Sequence, residues 1–142
     1  MTNPPRPISD GARMIVEMTP ELLPGEYVFC TIPAPDRAEP LIREALAIFR
    51  EEEGLSLILA RDRAAAAGVA TDAVMRCIRL NVYSALDGVG LTAAVAGVLA
   101  EAGIACNMVA AFHHDHAFVP ADRAEEAVAL LVALQSAGTA SH

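Results

Sequence analysis

Basic residues are the first thing this chain has little of: ten Lys and Arg stand against eighteen Asp and Glu, for a formal net charge of −8. Affinity for a phosphate backbone comes mainly from clustered Lys and Arg, so the composition argues against nucleic acid as a partner. Cysteine is scarce and odd in number. Cys30, Cys77 and Cys106 lie in apolar, strand-like runs without the close pairings of metal or redox motifs. Reduced, buried thiols in a cytoplasm are the expectation. No apolar run approaches the ~18 residues of a membrane span, and the opening MTNPPRPISD lacks the apolar stretch of a signal peptide. The sequence therefore predicts a soluble protein that stays where it is made. It also lacks a nucleophile elbow, a dinucleotide fingerprint and suggestively spaced carboxylates. Tyr83, Ser84 and Asp87 lie near a histidine cluster, but an acyl-transfer site would need one of them oriented by a base with a further partner. Neither an enzyme nor a cofactor is expected.

What is present is apolar. With 54% hydrophobic and 20% charged residues the 142-residue chain should fold, as one compact domain or two small fused ones. Its most informative stretch is 86–119. Gly88 and Gly90 give a flexible entry, then Leu91, Ala94, Val95, Val98 and Leu99 recur with helical period and Gly103 supplies the stop. From Ile104 to Phe112 the period changes to two, with Ile104, Cys106, Met108, Ala110 and Phe112 on one face and Asn107 on the other. His113 to Asp115 form a polar tip and His116 to Val119 a return strand.

Elsewhere, Met14, Val16 and Met18 alternate with Arg13, Ile15 and Glu17, which predicts a strand, and residues 19–25 a turn broken by Pro20 and Pro24. Tyr27 to Ile32 is a strand with Val28, Cys30 and Ile32 on one face. In the loop PAPDRAEP, Asp36 or Ala38 leads into a helix starting near Glu39 and Pro40, with Ile42, Ala45, Leu46 and Phe49 inside, ended by Gly54; the run Glu51 to Glu53 is a solvated face. Leu55, Leu57 and Leu59 mark a strand, Asp62 to Ala67 a short helix closed by Gly68, and Arg76 to Ser84 the clearest strand. Asp122 and Glu125 have capping-box spacing for a final helix to about Ser136, with Ala124, Ala127, Val128 and Leu131 inward.

Laid over each other at an offset of roughly fifty residues, the two halves repeat, with an extra strand in the second. The fold class that follows is α+β: two ferredoxin-like βα units with antiparallel strands on one face and helices on the other. The expected divisions are a flexible arm at 1–11, an abbreviated first unit at 12–70 completed by the strand at 14–18, a second unit at 71–137, and a tail at 138–142.

The strings SALDGVGL, GEYVFC and VGLTAAVAGVLAEAGIACNMVAAFHHDHAFV make the chain similar to small bacterial proteins in which two ACT domains are fused. The ACT domain is a βαββαβ module. The resemblance covers roughly residues 12–135 and implies an amino-acid-binding regulatory or sensing module, without chemistry of its own, that assembles into a homodimer or larger homo-oligomer. The alternatives are a structural or protein-interaction module without ligand and, more remotely, a metal-dependent enzyme.

Two places carry the candidate residues. Asp87, Gly88, Val89 and Gly90 join a strand to the N-terminus of a helix, where free N–H groups and the dipole favour a carboxylate, and Leu91 and Thr92 follow. The resemblance implies an amino-acid effector here, with its carboxylate on the amides around Gly90 and Leu91. It also implies contacts from Cys106, Asn107 and Met108, the amide of Asn107 orienting the other end. Asp87 is the expected partner of the ammonium group. The second place is His113-His114-Asp115-His116. It holds enough ligands for a transition metal, with His114 and His116 on one side, but no further ligand is evident. A solvated or interface cluster is the plain reading and a pH-sensitive contact another.

Overall fold

The computed structural model describes residues 4–33 and 35–140. In chain order its elements are α1 (Gly11–Glu17), β1 (Pro20–Leu22), β2 (Tyr27–Ile32), α2 (Pro35–Glu44), β3 (Ala47–Glu51), β4 (Gly54–Ala60), α3 (Arg61–Ala66), β5 (Met75–Leu80), α4 (Leu91–Glu101), β6 (Asn107–Ala110), β7 (Asp115–Pro120) and α5 (Ala124–Ala140). A short 3-10 turn, Ala121–Arg123, precedes α5. The chain divides into two compact units, one continuous from Pro24 to Met75, the other made of the residues up to Leu23 together with those from Arg76 onward. The expected fold class holds: helices alternate with strands that pair antiparallel in both units.

In the continuous unit the strand order is β3, β4, β2. β4 pairs antiparallel with both neighbours, Val28 opposite Leu59 and Ile48 opposite Leu57. Val28, Leu41, Leu57, Leu59 and Ala64 form its core, with Cys30 and Ile32 packed against them, the face predicted for β2. The helix expected to run to Gly54 ends instead at Glu44, and Phe49, assigned to its inner stripe, lies in β3 with 72% of its surface exposed. Residues 46–51 pair because β4 offers a free edge: the Leu46 amide donates to the Ile58 carbonyl at 2.8 Å. The acidic run lies at the β3–β4 turn, not at a helix end, and Gly54 is there because at φ +147° a Cβ would lie 2.7 Å from the Ile32 carbonyl oxygen. The hairpin strand that the first half was expected to lack is therefore present.

In the other unit the strand order is β1, β5, β7, β6. β1 runs antiparallel to β5 with Glu21 opposite Arg79, and β6 antiparallel to β7 with Asn107 opposite Phe118 and Ala110 opposite Asp115. Residues 14–18, expected as a strand completing the first unit, are helical. Asp10 caps α1 by accepting from the Arg13 amide at 3.1 Å, and Arg13 pairs with Glu17 one turn on. Met14 and Met18, four apart, are then both buried. They join Ile78, Leu80, Val95, Leu99, Val119 and Leu131 in the core. The expected turn at 19–25 contains β1, and Gln135 of α5 holds the join by donating to the Val16 carbonyl at 2.7 Å. β5 ends at Leu80, short of Ser84, and Phe112, expected on the core face, lies beyond β6 with 67% exposure. Asp122 lies inside the 3-10 turn, which has no side-chain cap, and α5 continues through the expected frayed tail to Ala140. Of that tail, residues 141–142 lie outside the described residues, as do residues 1–3 of the expected N-terminal arm. The arm is tied at Ile8, whose amide donates to the Tyr83 carbonyl at 2.7 Å and whose carbonyl accepts from Ala85 at 2.8 Å.

Candidate ligand-binding site

The chain between β5 and α4 is shaped by three constraints. Ile8 pairs with Ser84 as a short parallel bridge. The Gly88 amide then closes a turn on the Ala85 carbonyl at 2.9 Å. Gly90 stands at φ +113° as the residue before α4, a conformation that L side chains rarely adopt. Its carbonyl accepts from Ala94 at 3.0 Å, so the helix is wound from its first turn. That turn carries no acidic side chain to offset the positive end of the dipole.

Between this loop and its neighbours is a cavity of about 130 Å³. Ser84, Ala85, Leu86, Gly88 and Gly90 line it from the loop, and Leu91 and Thr92 from the start of α4. Met14 closes it from α1, Ala110 from β6 and Asp115 from β7. Ser84 is 8% exposed, and its hydroxyl donates to Asp115 Oδ2 at 3.1 Å.

Of the residues expected at the site, Gly88, Gly90, Leu91 and Thr92 are brought together. Asp87 is exposed and lines an adjoining open hollow of about 300 Å³ with Pro7, Tyr83 and Phe112, which shares Ser84, Ala85 and Leu86 with the cavity. Val89 points outward with 80% exposure. Cys106, Asn107 and Met108 are not in the lining: Cys106 and Met108 pack against the core, and Asn107 is exposed at the opposite end of β6 from Ala110. Three residue steps of strand take the chain from Asn107 to Ala110, roughly 10 Å. Burial pushes the Cys106 thiol above its ordinary range, so it is no thiolate donor.

Met14, Ser84, Ala85, Leu86, Ala110 and Asp115 also line the cavity and were not among the residues expected to bind a ligand. Asp115 had a signal: a hairpin whose tip is residues 111–114 puts Asp115 opposite Ala110, on the face turned toward α4. The same alternation turns His114 and His116 away from it. His113 stacks in a small aromatic group, its ring centre 5.4 Å from Tyr83 and 5.0 Å from Phe112. The pKa of His114 is pushed down, first by desolvation and then by Arg79 and the neighbouring imidazoles, with Asp115 opposing. Among the described residues no three His, Cys, Asp or Glu side chains converge as metal ligands.

The continuous unit has a larger hollow, about 540 Å³, between α2 and α3. Its lining is apolar except for Arg63, already paired with Glu44. The smaller cavity is the better candidate because polar groups converge there beside a helix N-terminus.

Models of the ACT domain match residues 8–76 and residues 73–133. A Vibrio cholerae protein of unknown function, described as a possible transport protein, has a crystal structure that is 41% identical, covering 87% of this chain and 94% of its own with a TM-score of 0.77. An Agrobacterium tumefaciens protein is 22% identical over 82% of this chain and 87% of its own, with a TM-score of 0.61. The regulatory subunit of aspartate kinase from Thermus flavus shares the fold at a TM-score of 0.59 with 12% identity, over 81% of this chain and 95% of its own. No curated protein matches the chain.

Proposed function

We propose that this chain, which belongs to the ACT-domain family, is a regulatory module without catalytic activity that binds an amino acid in the cavity between the 84–90 loop, α4 and the β6–β7 hairpin. ACT domains are typically regulatory ligand-binding modules. The observation that carries the assignment here is the cavity itself, where the N-terminus of α4, with no acidic residue in its own first turn, shares the lining with Asp115 and Ser84. A zwitterion needs both ends, an array of N–H donors for its carboxylate and an acceptor for its ammonium group.

The same reading includes self-association. Leu86, Val89 and Phe112, at 73%, 80% and 67% exposure, are apolar side chains left in water near the site, and a second copy covering them would form a closed homo-oligomer. Free thiols at Cys30, Cys77 and Cys106 support a reducing compartment, the cytoplasm. Among the described residues no helix is long and apolar enough to cross a membrane.

The test is calorimetric titration of the common amino acids into wild type and Ala110→Val. Valine suits a strand and puts two further methyl groups into the cavity. At Gly90, by contrast, φ +113° would strain any substitution and confuse folding with binding. An amino acid that binds wild type and is lost in folded Ala110→Val supports the site. Equal binding by both places the effector elsewhere, and no binding at all leaves a structural or interaction module.

A further inference from the structure

We infer that Asp115 is the residue that recognises the ammonium group, and that the effector is an α-amino acid no larger than about serine. The inference rests on the amino-acid reading above and makes it specific. Asp115 is the only charged side chain among the described residues that line the cavity. A carboxylate accepts through two oxygens, and one of them, Oδ2, already accepts from the Ser84 hydroxyl at 3.1 Å. That bond fixes the direction of the carboxylate without exhausting it. An ammonium group brings three donors and no acceptor, the complement of what Asp115 presents. Asp87 cannot take this role: it is exposed and lines the neighbouring hollow, where water screens its charge.

The size limit comes from the walls. A cavity of about 150 Å³ holds one benzene, so 130 Å³ holds about five non-hydrogen atoms. Glycine fills it, alanine and serine exceed it only by the one or two atoms that its open side can take, and leucine and phenylalanine go well beyond it. On its inner side the cavity does not offer more room by small shifts. Met14 and Leu91 are 1% and 3% exposed and belong to the core. At Gly88 even one added carbon would stand 2.9 Å from Met14 Cε and 3.0 Å from the Ala85 carbonyl oxygen.

The experiment titrates glycine, alanine, serine, leucine, phenylalanine and propionate into the whole wild-type protein, and the tightest binder into Asp115→Asn and Ser84→Ala. Asparagine keeps the volume and an acceptor for Ser84 while removing the charge. The expected result is binding of at least one of glycine, alanine and serine, at least tenfold weaker binding of leucine and phenylalanine, no binding of propionate, and a roughly ten- to hundredfold loss in Asp115→Asn, the range for hydrogen bonds to charged groups. Ser84→Ala should weaken binding less, since it frees the carboxylate without removing it. Equal affinity in folded Asp115→Asn overturns the role of Asp115, and so does propionate binding as tightly as alanine, a comparison that needs no variant. Leucine or phenylalanine binding as tightly as glycine overturns the size limit while leaving the amino-acid reading standing. If no amino acid binds wild type, both fall.

Discussion

Gly11→Ala tests whether the close approach of α1 to the 84–90 loop holds the cavity together. Gly11 is the first residue of α1, and a Cβ built there would stand 2.1 Å from the Val89 carbonyl oxygen and 3.2 Å from its carbon. Real Cβ contacts essentially never fall below 3.0 Å, so the two segments must separate by almost an ångström. Neither moves freely. The helix start is pinned by the Asp10 cap and the loop by the Gly88 turn and the first bond of α4. Overpacking of this kind costs about 1–3 kcal/mol. Alanine recovers less than about 1 kcal/mol of helix propensity at a first turn, so the net loss is about 1–2 kcal/mol. For a chain of this size that lowers Tm by roughly 3–8 °C. Gly97→Ala is the matched control: Gly97 lies inside α4 with nothing within 4 Å of an added Cβ, and alanine there should stabilise by about 0.5–1 kcal/mol. Calorimetry and urea unfolding of both variants measure the difference. A Gly11→Ala protein as stable as wild type, or one moving in the same direction as Gly97→Ala, would refute the proposed contact.

Burial also predicts thiol and pH behaviour. Cys77 is wholly buried and its thiol is pushed up to about 11, chiefly by desolvation, so it should resist alkylation at pH 8 until the protein unfolds, with Cys30 and Cys106 slower than a free thiol. Rapid labelling of Cys77 in native protein, located by mass spectrometry, would contradict its placement. The lowered pKa of His114 means that the unfolded chain takes up the proton first. Its contribution is present above about pH 6.5 and is lost as pH falls through the lower folded value. His114→Gln should therefore flatten the loss of stability as pH falls from 7 through and below about 6.5 in denaturant titrations; an unchanged slope would remove His114 as the cause. A separate loss should appear below about pH 4.5, where Glu21, held low by Asn81 and then Arg79, and Glu126, held low by Arg123, become protonated.

The elements legible from sequence are those in which one period had no rival. β2, β4, α3, α4 and the β6–β7 hairpin were placed to within a few residues because their apolar spacing fits a single geometry. The failures have a common physical cause. Met14, Val16 and Met18 satisfy a strand period, yet Met14 and Met18 also satisfy i, i+4, and the helix is decided by the Asp10 cap and by burial against α4 and α5. Residues 42–49 satisfy a helical stripe, yet the chain leaves the helix at Glu44 because β3 can pair along its whole length with β4. β1 is three residues beginning at Pro20, a residue tolerated at the start of a strand, and local sequence does not reveal the β5 edge it pairs with. In each case tertiary pairing overrode a local pattern that was present but ambiguous.

The proposed site divides along the same line. Its loop half was legible because Gly88 and Gly90 reflect backbone demands, a tight turn and a positive φ, that leave a mark in sequence. Its hairpin half was not, because the relevant variable is which end of β6 faces α4. The resemblance directed attention to Asn107 at the near end in sequence, one strand start after the helix. The register Ala110 opposite Asp115 puts the far end beside Ser84 instead. Asp115 was hidden by its neighbours: within His113-His114-Asp115-His116 it invites interpretation as one ligand among four. Strand alternation separates them, sending His114 and His116 to one face of the sheet and Asp115 to the other. A carboxylate that belongs to a histidine run in sequence belongs in space to a serine thirty-one residues earlier. The local charge pattern of the hairpin thus says little about the cavity, whereas the two-residue period of β7, applied residue by residue, is enough to select Asp115.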